Sequence, residues 1–471
     1  MRLASPWTPR IAAGAAPAYE RLIAALVEDI TAGLIPAGAR LPAHRELAFQ
    51  LKIGLGTVTK AYGMLERRGL VQSMHGRGMF VASGWVREQG RAWIGGLHHG
   101  DARPSIDLAI NIPPQALSNR LLTATFSLLA KKLHADDFGR YRPAIGLPTH
   151  QILLARYLAT RGLEVAPETL LLCHGAQHAL AVAFKVACPP DGLLLTEAFT
   201  FPGAIALARS MNLTVQTLAM DNEGITPHAF EQALRAREAA DRPVALYTIP
   251  TLQNPTAVTM GEKRRRDIVR LARRHGVTII EDDVYAIFAP DGVPPLAQLA
   301  PERTLHVTGF SKTMSPGLRV GLVTTPPVMS TSAIAALQAT STMASPISCA
   351  ILEQWLTDGT ATSIEAAIRA EALARMDLAQ DLLGRAWLHQ PNPGFHIWLP
   401  MAAAQADRIV HEAAAAGVIL TPAAAFTTDA SARDSGLRLC LGGPTRDELT
   451  LGLKIVRRLL DQSQSAMRQV I

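Results

Sequence analysis

Four strand-like apolar stretches end abruptly in polar residues. Leu170-Leu-Leu-Cys runs into His174-Gly-Ala-Gln, Ala245-Leu-Tyr-Thr-Ile leads to Gln253-Asn-Pro-Thr, Val277-Thr-Ile-Ile runs into Glu281-Asp-Asp-Val-Tyr, and Leu305-His-Val leads to Gly309-Phe-Ser-Lys. In an open α/β sheet, ligands bind in the crevice beyond the strand C-termini, so these four ends are predicted to converge on one crevice. The residues there suit the chemistry of pyridoxal 5'-phosphate. A lysine must form a Schiff base with its aldehyde, and an acid must pair with the protonated pyridine nitrogen so that the ring can draw in electrons. Lys312 and Asp282 supply these groups. A phosphate calls for backbone N–H donors at a helix start and an arginine fork, which Gly175, Ala176, Gln177 and Arg319 offer. Asn254 and Tyr285 can donate to the phenolic oxygen of the cofactor, and Phe201 can stack on the ring. Each residue alone has a plain structural alternative: a solvated lysine, a helix-capping aspartate, a core phenylalanine, an ordinary Asn-Pro turn. The ordered set at strand ends is what points to chemistry.

The elements that must hold these residues are legible in outline. A chain of 471 residues, 48% hydrophobic and 18% charged, is expected to fold into two or three compact units and not to be disordered. From residue 105 strands and helices alternate, which predicts an α/β domain with a mostly parallel central sheet and a smaller α+β part. Its large subdomain is expected at 148–325 and its small one mainly at 326–471. Before it, Leu22, Ile23, Leu26, Val27 and Ile30 recur at helical spacing, followed by Gly33 where a helix would stop. Pro42 opens a second short helix. A third runs from about Leu55 to Arg68 with Val58, Ala61, Tyr62 and Leu65 on one face. Two alternating strands around His75-Gly-Arg-Gly complete a winged helix-turn-helix over 19–83. Residues 1–18 form an arm, and 84–104 read as a linker without periodicity.

Residues 1–85 hold ten Lys and Arg against five Asp and Glu, so they carry +5 of the net +7. That asymmetry points to an acidic polymer as partner. In such a motif the start of the third helix reaches base edges, while flanking Arg and backbone N–H groups hold phosphates. The candidates for DNA contact are Arg45, Thr57, Thr59, Lys60, His75, Gly76 and Arg77. Cys173, Cys188, Cys349 and Cys440 are scattered without metal-ligand spacing, so no metal is expected, and a reducing cytoplasm is the natural setting. No apolar run reaches the roughly 18 residues of a membrane span, and Met1 to Arg10 lack the apolar core of a signal peptide.

The first unit resembles the GntR family. Its signature is matched by Leu41-Pro-Ala-His-Arg-Glu-Leu-Ala, by Thr57-Val-Thr-Lys-Ala-Tyr-Gly-Met-Leu-Glu-Arg-Arg-Gly, and by Gly76-Arg-Gly-Met-Phe-Val. One departure stands at the third helix, where the family usually has Ser/Thr-Arg and this chain has Gly54-Leu55. The usual capping hydroxyl and a base-reading arginine are missing, so an inherited operator sequence does not follow.

Residues 105–471 resemble the fold-type I pyridoxal-phosphate enzymes, in the branch of the kynurenine and 2-aminoadipate aminotransferases. The resemblance makes Lys312 the Schiff-base lysine, Asp282 the partner of the pyridine nitrogen, and Asn254 and Tyr285 the partners of the phenolic oxygen. It makes Ala176, Gln177, Ser311 and Arg319 phosphate ligands and Phe201 the stacking residue, where tyrosine is commoner. It makes Tyr141 a residue reaching the phosphate of the opposite subunit and Arg438 the arginine for a ligand carboxylate. Gly309 replaces the family's usual Ser or Thr, so one phosphate hydroxyl is expected to be lost or shifted to Thr308.

A GntR-type reader joined to an aminotransferase-like domain is the architecture of the MocR subgroup. It implies a cytoplasmic homodimer, swapped head to tail, that binds operator DNA and senses an amino-acid-like effector through Lys312. The alternative is a working aminotransferase with a secondary DNA-binding domain. A third possibility is that the site senses the cofactor itself. The regulator comes first, because amino-group transfer has no use for a basic winged helix.

Overall fold

The computed structural model describes residues 17–31, 35, 39–67, 71–74, 78–81, 105–189, 192–236, 243–385, 387–388, 392–429 and 434–468. The chain divides into two compact units, Met1–His99 and Gly100–Ile471.

In the first unit, helices α1 (Ala18–Thr31), α2 (His44–Leu51) and α3 (Leu55–Arg67) precede strands β1 (Val71–Met74) and β2 (Gly78–Val81). The strands pair antiparallel, with Val71 opposite Val81. Leu22, Ile23 and Leu26 of α1 are buried against Val58, Ala61, Tyr62 and Leu65 of α3 and against Val71 and Val81, as their spacing predicts. Helix α2 begins two residues after Pro42. It ends at Lys52, held in the left-handed region at φ 51°, with its N–H given to the carbonyls of Ala48 and Phe49. This turn aims α3. The buried Tyr62 fixes the aim further, since its hydroxyl donates to the Pro42 carbonyl at 3.0 Å.

In the second unit, β3 (Ile106–Asp107) precedes β4 (Leu170–Cys173), β5 (Leu193–Glu197), β6 (Thr214–Leu218) and the small hairpin of β7 (Met220–Asp221) and β8 (Gly224–Ile225). Then come β9 (Val244–Thr248), β10 (Thr278–Asp282), β11 (Thr304–Gly309) and β12 (Gly321–Thr324). Seven of these form one sheet in the order β4-β12-β11-β10-β9-β5-β6. Strand β12 runs antiparallel to β11 and β4, and the other pairs are parallel. Every residue of β4, β5 and β12 is buried, as expected of strands covered on both faces. Strand β10 continues two residues further than its apolar run, because its parallel ladder extends to Asp282 opposite Val307. Glu281 and Asp282 therefore sit on the strand and not after it.

A smaller layer is built on β13 (His396–Ala402) and β15 (Asp434–Cys440), antiparallel neighbours, and on β14 (Val418–Ile419), which pairs in parallel with β3. Its boundary differs from the expected residue 326. Ala333, Leu337, Leu352 and Trp355 still belong to the core of the large sheet. Helix Thr360–Leu383 carries Ile364 and Ile368 in that core, but Met376, Ala379 and Leu383 in the core of the smaller layer. One unbroken helix serves both, so no break in the sequence marks the change. Leu108 also joins the smaller core.

Candidate functional site

The turn after β4 forms the first half of the site. Gly175, at φ 80°, immediately precedes the helix Ala176–Ala187. The strand β12 behind it comes so close that a Cβ on Gly321 would lie 2.4 Å from the Gly175 carbonyl carbon, so only glycine fits. Arg319, itself left-handed at φ 50°, reaches this turn. Its Nη2 donates to the His174 carbonyl at 3.4 Å and its Nη1 to Ser311 Oγ at 3.5 Å. The sheet thus gathers a helix N-terminus, a guanidinium and a hydroxyl. Gly309 faces the same turn, where a Cβ would stand 3.1 Å from Ala176 N. Of the two outcomes expected there, a lost hydroxyl or one shifted to Thr308, the geometry favours the loss, for Thr308 is buried and donates to the Asp283 carbonyl at 3.0 Å. Phe201 sits at the start of helix Pro202–Ser210 with its ring over Gly203, where a Cβ would be 2.3 Å from Phe201 Cε1. Gln177 Nε2 donates to the Gly203 carbonyl at 3.0 Å, tying the two helix starts together.

The second half is a buried polar cluster. Tyr247 donates its hydroxyl to Asp282 Oδ2 at 2.9 Å, while Asp282 Oδ1 is buried without a partner. Burial, with Asp283 and Glu197 nearby, outweighs the Tyr247 bond and raises the Asp282 carboxyl to about 7. Burial lowers the Lys312 amine to about 8, and that amine donates to the main-chain carbonyl of Asn111. Asn111 Nδ2 donates to the Tyr285 hydroxyl at 2.8 Å. Arg438 on β15 donates to Asn254 Oδ1 at 2.7 Å and to Thr421 Oγ1 at 3.0 Å, and also to the Ala109 carbonyl. Its guanidinium lies over the Phe426 ring at 4.9 Å, and its Nε is buried without a partner. His396, 5.6 Å from Tyr285 ring to ring, is driven by burial down to about 3. It therefore stays neutral and gives its Nε2 proton to the Gln253 carbonyl at 3.1 Å.

The structure thus buries Lys312, Asp282, Tyr285, Asn254 and Arg438 in three hydrogen-bonded sets, Lys312–Asn111–Tyr285, Asp282–Tyr247 and Arg438–Asn254, with Tyr285 feeling the charges of both Asp282 and Arg438, and it gathers Ala176, Ser311 and Arg319 at the Gly175 turn. Tyr141 is not drawn in. It is 81% exposed and stands apart from the buried cluster. Sequence reasoning missed Asn111, Tyr247 and Thr421. Tyr247 lies opposite Ile280, two residues before Asp282 on the neighbouring strand, and its only signal in the sequence was a hydroxyl in a strand of mostly buried residues. Asn111 and Thr421 lie in irregular backbone that carries no periodic signal.

In the first unit, Arg45 is exposed on α2 and Thr57 half-buried near the start of α3. Gly54 supplies only a main-chain carbonyl there, accepting from Thr57 N and Val58 N. Thr59 turns its hydroxyl back to the Leu55 carbonyl at 3.0 Å, and Lys60 Nζ lies 3.7 Å from the centre of the Tyr19 ring. Those two are engaged within the unit. His75, Gly76 and Arg77 lie outside the described residues.

Comparison with known proteins agrees with this division. Residues 103–456 match the model of aminotransferase class I and II, and residues 18–81 match that of the bacterial regulatory proteins of the gntR family. The HTH-type transcriptional regulator YdeF of Bacillus subtilis (strain 168) is 25% identical over 462 residues, covering 97% of both chains. The mitochondrial kynurenine/alpha-aminoadipate aminotransferase of Mus musculus is 27% identical over 316 residues, 62% of this chain and 74% of that one. Among solved structures, an archaeal alanine:glyoxylate aminotransferase superposes with a TM-score of 0.70 at 23% identity, over 77% of this chain and 92% of that one. At that identity the likeness speaks for the fold. The residues present fit pyridoxal phosphate: an orphaned carboxylate oxygen in want of an N–H, a buried amine, and a glycine-lined helix start beside an arginine.

Proposed function

The chain belongs to the aminotransferase class I and II family and joins to that domain a gntR-type DNA-binding domain, the MocR arrangement, and we propose that it regulates transcription in the cytoplasm by sensing an amino-group-containing small molecule. The observation that carries the proposal is the pairing of a helix-turn-helix unit with a complete buried Lys312–Asp282 cluster in one chain. The cofactor is pyridoxal 5'-phosphate, which, when bound, supplies an aldehyde for amines and a ring that takes up electron density.

The residues divide the work of holding it. Asp282 Oδ1, lacking a partner, pairs with the ring nitrogen and keeps its proton in place. A Lys312 amine near 8 is neutral in appreciable fraction at pH 7–8, the form that attacks a carbonyl carbon. Ala176, Gln177, Ser311 and Arg319 hold the phosphate, and Phe201 covers one face of the ring. Asn254 and Tyr285 face the phenolic oxygen. Tyr141, being exposed, is free to reach the phosphate of a second copy in a head-to-tail homodimer. Arg438 takes the acid group of the effector, giving up a bond to Ala109 or Thr421 as it does so. In the reader unit, the start of α3 approaches the bases of operator DNA, with Arg45, Thr57, Thr59 and Lys60 beside it and the wing residues His75, Gly76 and Arg77 on phosphate.

Because the cluster retains the groups amino transfer requires, turnover by an aminotransferase is the second function to test. The cofactor assignment is tested by loading the protein with pyridoxal phosphate and reducing it with borohydride. The label is expected on Lys312, with none in Lys312→Ala. The same label in that variant refutes the assignment of the lysine.

A further inference from the structure

Asn111 has no part in the function just described, yet it bonds directly to two of the residues assigned to it, Lys312 and Tyr285. It follows β3 on a segment held by main-chain bonds. Leu108 N donates to the Ile419 carbonyl at 3.0 Å, and Cys440 N donates to the Leu108 carbonyl at 2.9 Å. From this fixed base Asn111 presents its carbonyl to Lys312 Nζ and its Nδ2 to the Tyr285 hydroxyl. Its Oδ1 is buried without a partner.

A phenolic hydroxyl that accepts from an amide still has its own proton to give. Had Tyr285 spent that proton on a protein acceptor, none would remain for a ligand. The direction of the Asn111–Tyr285 bond therefore decides what Tyr285 can offer. We propose that Asn111 is a positioning residue. Its carboxamide turns the Tyr285 proton toward the phenolic oxygen of the cofactor, and its carbonyl holds the Lys312 amine beside it. The proposal rests on the assignment of pyridoxal phosphate to this cluster. A proton donated to the phenolic oxygen favours the state in which that oxygen is negative and the neighbouring nitrogen has lost its proton. Weakening the donation raises the pH at which the bound chromophore deprotonates. Tyr285 is also faced by Asp282 from β10, by Arg438 and Cys440 from β15 and by His396 from β13, none of which is changed in the variants below.

The test follows absorbance against pH in the wild-type protein loaded with pyridoxal phosphate and in Asn111→Asp, Asn111→Leu, Tyr285→Phe and Asn111→Leu with Tyr285→Phe. Aspartate has the same shape but only accepts, so it draws the Tyr285 proton away. Its midpoint is expected to rise by about one unit or more, a tenfold change in the dissociation constant. Asn111→Leu is expected to raise the midpoint less, and to add nothing once Tyr285 is Phe. An Asn111→Asp midpoint equal to the wild type's, or an Asn111→Leu shift that is the same with and without the Tyr285 hydroxyl, overturns the proposal. If the aspartate variant fails to fold or load, the leucine cycle decides alone. A wild-type protein that forms no chromophore overturns the cofactor assignment and this role with it.

Discussion

Replacing Asp282 by Asn is expected to act in opposite directions on the empty and the loaded protein. In the empty protein the carboxyl titrates near 7 against an ordinary value of 3.8, raised chiefly by burial. A carboxyl raised in this way contributes stability that is present below about pH 4 and is lost as pH climbs through 7. About three units at 1.36 kcal/mol each give an upper limit of about 4 kcal/mol. Asparagine keeps the shape and can still accept from Tyr247, but does not ionise. At pH 8.5 the empty variant is therefore expected to be more stable than the wild type, with the difference vanishing near pH 4. With pyridoxal phosphate bound, the ionised carboxylate has a cationic N–H to pair with. A charged hydrogen bond of about 1.5–3 kcal/mol is then lost, about 10–150-fold in affinity. The assay is thermal unfolding from pH 4 to 8.5, with and without cofactor, beside a cofactor titration. An empty variant no more stable than the wild type at pH 8.5, or undiminished affinity, refutes the reasoning. Asp283 is then the acid to examine, although it already stands 3.2 Å from His306.

Other consequences follow from the same geometry. Gly321→Ala is expected to displace the Gly175–Ala176 backbone, costing about 1–3 kcal/mol of stability together with phosphate affinity. Unchanged unfolding would show that the turn has room. Tyr62→Phe removes the hydroxyl that holds Pro42 and is expected to cost about 1 kcal/mol and to weaken DNA binding, read by unfolding and by a DNA titration. Arg438→Ala is expected to lower affinity for acidic amino compounds and also to alter the spectrum of the loaded protein, because Arg438 holds Asn254. A spectrum identical to the wild type's would separate the two residues.

The helices were legible where burial imposes a period, as in α1 and α3, and the wholly buried β4 was legible as a short unbroken apolar run. The site was legible where a strand delivers it, for Asp282, Lys312 and the Gly175 turn sit at or beside strand ends. What the sequence hid has particular physical reasons. The limit of β10 was set by pairing with β11, which no single segment shows. The division within helix Thr360–Leu383 leaves no mark, because both cores want apolar residues at helical spacing. Asn111 reaches the cluster from a segment without periodicity, and its partners Tyr285 and Lys312 lie 174 and 201 residues away. The bond of Thr308 to the Asp283 carbonyl likewise depends on two strands lying side by side.

The central claim is that occupancy of the Lys312 cluster alters DNA binding. The direct measurement is the affinity of the whole protein for its operator, with and without pyridoxal phosphate and candidate amino compounds, in the wild type and in Lys312→Ala, with amino-donor turnover followed in parallel. A change of about 5–150-fold in DNA affinity on adding the effector, equivalent to a coupling of about 1–3 kcal/mol and absent in Lys312→Ala, is the expected result. Rapid turnover of amino donor and keto acid with DNA affinity unmoved would contradict the account and leave the protein an aminotransferase.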